Sequence, residues 1–122
     1  MLGGGTPLAN AVAFGQWRAA RRLVELGARA NLWQAAALGL AGRLEQLLAA
    51  EPPPEPDEIT NAFWCACHGG ERATAERLLE RGADLDWVGH DGLTPLGAAE
   101  RSGAHELARW LRSRGAHHAG SE

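Results

Sequence analysis

Asp91-Gly92-Leu93-Thr94-Pro95-Leu96-Gly97-Ala98-Ala99 is the stretch that decides the fold of this 122-residue chain. Thr94 can cap a helix by accepting a hydrogen bond from a free backbone N–H of the first turn. Pro95 then occupies the first helical position, where no N–H is needed. Gly103 can end the helix because glycine tolerates a left-handed conformation. The stretch therefore predicts a short helix that starts at Pro95.

The same pattern recurs along the chain. Gly5-Thr6-Pro7-Leu8 opens another copy, the first along the chain, in which threonine again precedes the first glycine by nine residues. The third copy has Asn61 in the place of the threonine, and its Gly70 and Gly82 are twelve residues apart, as Gly103 and Gly115 are. A shorter copy lies between the first and the third. The first glycines of the four copies are Gly15, Gly39, Gly70 and Gly103. Internal repeats of this length are typical of solenoid folds.

Each copy predicts a helix hairpin. After the first glycine comes a leucine-rich helix, whose inner face carries Leu78 and Leu79 in the third copy. The outer face of that helix is charged and carries Arg72, Glu76 and Glu80. A single hairpin cannot bury its apolar side, so stacked copies are expected to share one continuous core.

The pattern of Gly-Thr-Pro-Leu, small residues, Gly, a leucine-rich helix and Gly-Ala-Asp resembles the ankyrin repeat. Residues 91–99 with Gly115-Ala116, and the segment Gly82-Ala83-Asp84-Leu85-Asp86, carry the resemblance. It implies one all-α domain, residues 1–122, built as an ankyrin-repeat solenoid of stacked helix-turn-helix hairpins. The expected parts are repeats at 5–31, 32–51, 57–86 and 92–116, a Pro-rich connector at 51–56 and a flexible tail at 117–122.

The chain departs from the family pattern in two ways. Ankyrin repeats usually carry histidine just after the Pro-Leu pair, whereas two of the copies have Trp33 and Trp64 there. We expect these tryptophans to replace the histidine hydrogen bonds by buried aromatic packing. The second copy also lacks the usual extended finger, and Asn31 is predicted to cap its first helix in a capping box with Gln34.

Composition argues against several classes of protein. A net charge of -3 argues against general affinity for nucleic acid, which relies on cationic surface. The sequence has no run of eighteen apolar residues and no signal-peptide pattern, so we expect a cytoplasmic protein without a membrane partner. All twelve basic residues are arginine, which we interpret as the codon bias of a GC-rich, bacterial genome.

Cys65-Ala66-Cys67-His68 is the motif that invites a chemical role. Cys65 and His68 share a helix face, but a closed zinc site needs two further ligands that the sequence does not supply. A nucleophilic thiol would need a base and a residue that orients the base. We therefore expect buried cysteines, no cofactor, no metal and no enzymatic activity, with a small ligand or metal site at Cys65–His68 as the less favoured alternative.

The family resemblance implies a noncatalytic module that binds a partner protein on its concave and finger face. In the family, exposed residues lie just before each first glycine and in the finger, here residues 86–92. The partner-binding residues expected from it are Phe14, Leu38, His68, Trp87, Val88, His90 and Arg101. An inhibitor or immunity-type protein that blocks one specific enzyme is the alternative function. A weak homodimer through the N-terminal repeat is also expected. The end repeats of a solenoid generally need a polar outer face, and the first repeat shows no dedicated polar cap, so this end is expected to pair with a second copy.

Overall fold

Four helix pairs follow one another along the chain in the computed structural model, which describes residues 7–13, 15–27 and 30–118. The pairs are α1 (Pro7–Ala13) with α2 (Trp17–Glu25), α3 (Leu32–Leu38) with α4 (Ala41–Leu48), α5 (Pro56–His68) with α6 (Arg72–Glu80), and α7 (Pro95–Arg101) with α8 (His105–Ser113). A 3₁₀ turn, His90–Gly92, precedes α7. The described residues contain no strand, and the predicted all-α fold is confirmed. None of these helices is long and apolar enough to cross a membrane.

The helix starts follow the local signals in the sequence. Thr94 accepts a hydrogen bond from the Gly97 N–H at 3.2 Å, and Pro95 is the first residue of α7. At α3, the Asn31 side chain accepts from the Gln34 N–H at 3.0 Å, and the Gln34 side chain accepts from the Asn31 N–H at 2.9 Å. Both caps are therefore confirmed. The equivalent Thr6 lies outside the described residues.

The first helices end in left-handed turns, as predicted. Gly39 closes α3 with φ of 71°, and Gly103 follows α7 with φ of 75°. Only glycine adopts this conformation without steric cost. The chain can therefore reverse within a few residues and start the second helix of each pair.

Helix α5 starts earlier than the repeat alignment suggests. The alignment places Asn61 at the position of the capping threonine, but Asn61 lies inside this 13-residue helix. Pro56 is the first helical residue, and the Glu58 carboxylate accepts a hydrogen bond from the Glu55 N–H at 2.7 Å. Residues 51–55 are not helical. The acidic segment before Asn61 therefore begins the helix and extends it beyond the length of its counterparts.

The core consists of two apolar clusters that meet at α5. Phe63 and Cys67 are fully buried in the cluster that joins the last three helix pairs. Trp64 and Cys65 belong to the other cluster, which joins α5 to the first two pairs. Both cysteines are free and buried, as expected for small apolar core residues. Helix α5 is thus apolar on most of its circumference, since it packs against neighbours on both sides.

The C-terminal ends of α3 and α5 approach each other at backbone distance. A Cβ atom built on Gly69 would lie 2.0 Å from the carbonyl oxygen of Ala37. No other residue type fits at position 69 unless the two helices move apart. This close approach fixes the position of His68, the last residue of α5, relative to α3.

The segment after the last helix contacts the finger and α7. The His117 N–H donates a hydrogen bond to Asp86 Oδ1 at 2.8 Å, and His118 Nε2 lies 2.5 Å from Glu100 Oε1. Residues 119–122 of the predicted tail lie outside the described residues. The proposed repeat and tail bounds stay predictions.

A candidate partner-binding groove

Five aromatic rings from separate parts of the chain form a continuous line, which we call the aromatic row. Its members, in order, are Trp17, His68, Trp64, His90 and Trp87. Successive ring centroids are 5.2, 5.5, 4.9 and 6.0 Å apart. These separations are those of interacting aromatic rings. The row therefore connects α2, α5 and the finger along one side of the molecule.

A groove of about 460 Å³ opens beside the aromatic row. Its volume falls in the range of ligand-binding clefts, roughly 300–1,000 Å³. Helices α1, α3, α5 and α7 contribute to its walls together with the 3₁₀ turn. The groove is lined by Val12, Trp33, Asn61, Trp64, Cys65, His68, His90, Asp91 and Arg101.

Trp64 forms the floor and is held in a single position. Its side chain is 3% exposed, and its Nε1–H donates a hydrogen bond to the Leu93 carbonyl at 2.8 Å. A Cβ on Gly89 would lie 2.4 Å from Trp87 Cζ3 and 3.0 Å from Trp64 Cδ1, so the finger backbone lies directly against both indoles. The expected burial of Trp64 is confirmed, but Trp64 also supplies a hydrogen bond to the next repeat, which the sequence did not indicate. Trp33 is only half-buried.

The polar groups at the rim of the groove pair with one another. His90 Nε2 lies 2.8 Å from Asn61 Oδ1, and Arg101 Nη1 donates to Asp91 Oδ2 at 2.8 Å. The hydrogen bond and the charge of Arg101 lower the pKa of Asp91, which keeps the carboxylate ionised. Asp91 has φ of 58°, a left-handed conformation that aspartate adopts more readily than most residues. The turn thus directs this carboxylate toward α7.

His68 lies between two indoles rather than on an open surface. Its ring contacts Trp17 on one side and Trp64 on the other, and both ring nitrogens are shielded from solvent. The His68 carbonyl accepts a hydrogen bond from Ser102 Oγ at 2.6 Å, which ties α5 to α7. The ring therefore forms part of the groove wall in a fixed orientation.

The structure brings together most of the residues singled out from the sequence. His68, His90 and Arg101 line the groove, and Trp87 ends the aromatic row. Val88, on the same finger, is 52% exposed. Phe14 lies outside the described residues.

The expectation that Leu38 is exposed is wrong. This side chain is 1% exposed, because it packs in the cluster that includes Val12 and Ala20 of the first helix pair. In the second helix pair, the residue before the first glycine is therefore buried rather than exposed.

Several groove residues were missed in the sequence. Asn61, Asp91 and Trp17 belong to the groove or the aromatic row, but the sequence analysis did not identify them as binding residues. One signal was available for Asn61, because Asn61, Trp64 and His68 recur at the spacing of one helix face. The others come from separate helix pairs, and their meeting depends on how the pairs stack.

Burial makes the cysteines poor nucleophiles. Cys65 is 5% exposed, and burial raises its pKa to about 12. Burial and the charge of Cys65 raise the pKa of Cys67 as well. The thiolate is the reactive form, so both side chains are protonated and unreactive at neutral pH. Within residues 7–13, 15–27 and 30–118, no three His, Cys, Asp or Glu side chains are grouped so that they could hold a metal ion.

Stacked helix pairs with a lateral groove and a finger define a helical-repeat binding scaffold. Residues 32–119 match the ankyrin-repeat family over three copies. The chain therefore belongs to the ankyrin-repeat family and is a protein-binding module of that family. The match covers the second, third and fourth helix pairs.

The relatives differ greatly in length. Cyclin-dependent kinase 4 inhibitor B of Rattus norvegicus is 35% identical over 126 residues, which cover 93% of this chain and 97% of the relative. Ankyrin repeat and KH domain-containing protein mask-1 of Caenorhabditis elegans is 42% identical over 50 residues, or 41% of this chain. Ankyrin repeat domain-containing protein SAT10 of Stachybotrys chartarum is 37% identical over 92 residues, or 74% of this chain. The alignments span only 2% of mask-1 and 5% of SAT10.

Proposed function

We propose that this chain is a noncatalytic module that binds one partner protein through the groove and the adjacent finger. The observation that carries the proposal is the position of the aromatic row. Three of its rings, Trp64, His68 and His90, line a groove of about 460 Å³ beside an exposed finger valine, Val88. Tryptophan and other aromatic side chains dominate the energetics of protein interfaces. A preformed groove also requires little ordering on binding, which favours affinity.

The partner-binding residues in this proposal are those that reach the groove or the finger. His68, His90 and Arg101 contribute to the walls, and Trp87 and Val88 contribute from the finger. Phe14 stays in the proposal because it follows α1, which contributes Val12 to the groove. Leu38 is removed from it because its side chain is buried.

A second candidate is an inhibitor that blocks a protein kinase. The rat relative is a cyclin-dependent kinase 4 inhibitor by name, and it aligns with this chain over 97% of its own length. An inhibitor of this size needs no catalytic residues, since occupying the surface of an enzyme suffices. An immunity-type protein that blocks another enzyme is the same proposal with a different target.

Two matched substitutions test the binding face. Leu26 and Val88 are the exposed large apolar side chains of the described residues, at 69% and 52% exposure. Val88→Asp places a charge on the proposed face, and Leu26→Asp places the same charge at the end of α2, away from the groove. Each variant and the wild type would be used as bait in lysate of the source organism, and each would be titrated against purified cyclin-dependent kinase 4 with kinase activity as a second readout.

The two candidates predict different outcomes. A partner that Val88→Asp loses and Leu26→Asp keeps supports the proposed face. Kinase inhibition with the same dependence on Val88 favours the inhibitor function. If both variants bind the partner as the wild type does, the face is wrong. If the kinase neither binds nor loses activity, the kinase-inhibitor candidate falls while the binding module stands.

The proposal includes further points that the sequence supports. The first helix pair, α1 and α2, is proposed to be a fourth ankyrin repeat. The same N-terminal repeat is proposed to form a weak homodimer. The absence of lysine supports a bacterial source, although the relatives above come from eukaryotes. The net charge of -3 argues against binding to nucleic acid, and a cytoplasmic location without a membrane partner is part of the same proposal. Light scattering over a range of concentrations tests the dimer.

A further inference from the structure

The charges of the groove are internally compensated. The lining carries one carboxylate, Asp91, and one guanidinium, Arg101, when histidine is counted as neutral. These two groups bond to each other at 2.8 Å. A charged side chain that entered the groove would find no unpaired opposite charge, and burial of an unpaired charge is costly. The groove therefore favours an uncharged occupant.

The walls of the groove favour an aromatic occupant over an aliphatic one. Trp33 and His68 are half-buried and His90 is exposed, so their rings present surface to the groove, whereas Trp64 is 3% exposed and contributes only a small area. Aromatic rings that meet edge to face or offset bind more tightly than their buried area alone predicts. The indole of Trp64 cannot turn away, because its N–H is bonded to Leu93. Trp64 thus forms a rigid base, and an entering ring would meet mainly Trp33 and His90.

We infer that the groove receives an uncharged aromatic side chain, of the phenylalanine type, from the partner protein. This inference rests on the proposed function and names the part of the partner that the groove recognises. The groove volume of about 460 Å³ leaves room for a ring together with the backbone that carries it. Polar contacts at the rim would come from Asn61 and His90, whose side chains border the opening.

Capped amino acids test this inference without knowledge of the partner. The probe is N-acetyl-phenylalaninamide, and its matched control is N-acetyl-cyclohexylalaninamide, which has a ring of similar size without π-electrons. The capped amides of arginine and glutamate serve as cationic and anionic controls. Binding is followed by ¹H–¹⁵N NMR, in which the five tryptophan indole N–H signals are direct reporters. Trp110 lies on α8, outside the groove lining, and is the internal control.

The expected result is a selective, weak complex. The phenylalanine probe should bind with a dissociation constant on the order of 1 mM, the value expected at about 0.3 kcal/mol per heavy atom. It should shift the signals of Trp33 and Trp64 and leave Trp110 unchanged. It should bind roughly two- to tenfold more tightly than the cyclohexyl probe and more tightly than either charged probe. His90→Ala should weaken it, whereas His105→Ala, the same change on α8, should not.

Several results would overturn the inference. Equal or tighter binding of the cyclohexyl probe would make the occupant aliphatic, and tighter binding of the arginine probe would make it cationic. If the phenylalanine probe binds only to the Phe14→Ala variant, the chain fills the groove itself. If the indole signals shift with protein concentration in the absence of a probe, a second copy of the chain fills it. No shift at Trp33 or Trp64 in the folded protein would exclude the site. If Val88→Asp still abolishes partner binding, the proposed function survives that failure.

Discussion

Gly69→Ala should destabilise the protein by forcing α3 and α5 apart. The added Cβ would lie 2.0 Å from the Ala37 carbonyl oxygen, and carbon atoms in such contacts stay at least 3.0 Å away. The two helix ends must therefore separate by about 1 Å, and because the contact is to backbone, no side-chain rotation can relieve it. Residue 69 has φ of -83° and ψ of -4°, which alanine adopts freely, so backbone strain does not contribute.

Overpacking of this kind costs about 1–3 kcal/mol, and a backbone contact belongs at the upper end of that range. We therefore expect Gly69→Ala to lower the free energy of unfolding by about 2–3 kcal/mol. Domains of this size are stable by about 5–15 kcal/mol, so the variant should still fold. Urea unfolding followed by tryptophan fluorescence should show the midpoint lowered by about 1–2 M.

Gly42→Ala is the matched control. Gly42 lies within α4, and a Cβ there would meet nothing within 4 Å. Replacing glycine by alanine in the middle of a helix stabilises it by roughly 0.5–1 kcal/mol, and because Gly42 is the second residue of α4 we expect a gain at the lower end of that range. The two substitutions should therefore change stability in opposite directions. If Gly69→Ala leaves the urea midpoint unchanged or raises it, the close approach of α3 and α5 is wrong.

Three further predictions concern single groups. Thr94→Ala should lower the free energy of unfolding in urea by about 1 kcal/mol, because it removes the hydrogen bond from the Gly97 N–H that caps α7. Thr94→Ser should restore most of that loss, and equal losses in both variants would contradict the capping role. Trp64→Phe should cost about 1–3 kcal/mol because the smaller ring leaves a cavity at a buried site and one of the two hydrogen bonds to the Leu93 carbonyl is lost, while the bond from the Gly89 N–H remains. A loss below about 0.5 kcal/mol would mean that the indole is not tightly packed there. Burial raises the pKa of Cys65 from 9.0 to about 12, so the folded state favours the protonated thiol. The resulting contribution to the free energy of unfolding is complete below pH 9 and is lost as the pH rises toward 12. Urea midpoints should fall over that interval, and less so in Cys65→Ala; identical pH profiles would refute the assignment.

Features set within one helical turn could be predicted from the sequence. The caps at Thr94 and Asn31 and the left-handed turn at Gly103 involve residues only a few positions apart. Their energetics do not depend on how the helix pairs stack, so the repeat pattern alone indicated them. Helix α5 was misjudged because its start depends on Pro56 and on a glutamate box that the other repeats lack.

Features that depend on stacking could not be predicted in the same way. Leu38 occupies a position that the family pattern exposes, yet the first helix pair covers it. The bond from Trp64 to the Leu93 carbonyl joins residues 29 positions apart, and no local signal marks it. The individual groove residues His68, His90 and Arg101 could be named from the pattern, but the groove that they share could not.

The aromatic row has a consequence for how the molecule unfolds. Trp17 belongs to the first helix pair and His68 to the third, and their rings touch across the second pair. Arg21 and Glu71 join the same two pairs at 2.9 Å, each partly exposed. In an ideal repeat array each unit couples only to its immediate neighbours, and the ends fray independently. Here a next-nearest-neighbour coupling opposes fraying of the N-terminal unit, so its loss is expected to be more cooperative with the rest of the array than a linear chain of units would allow.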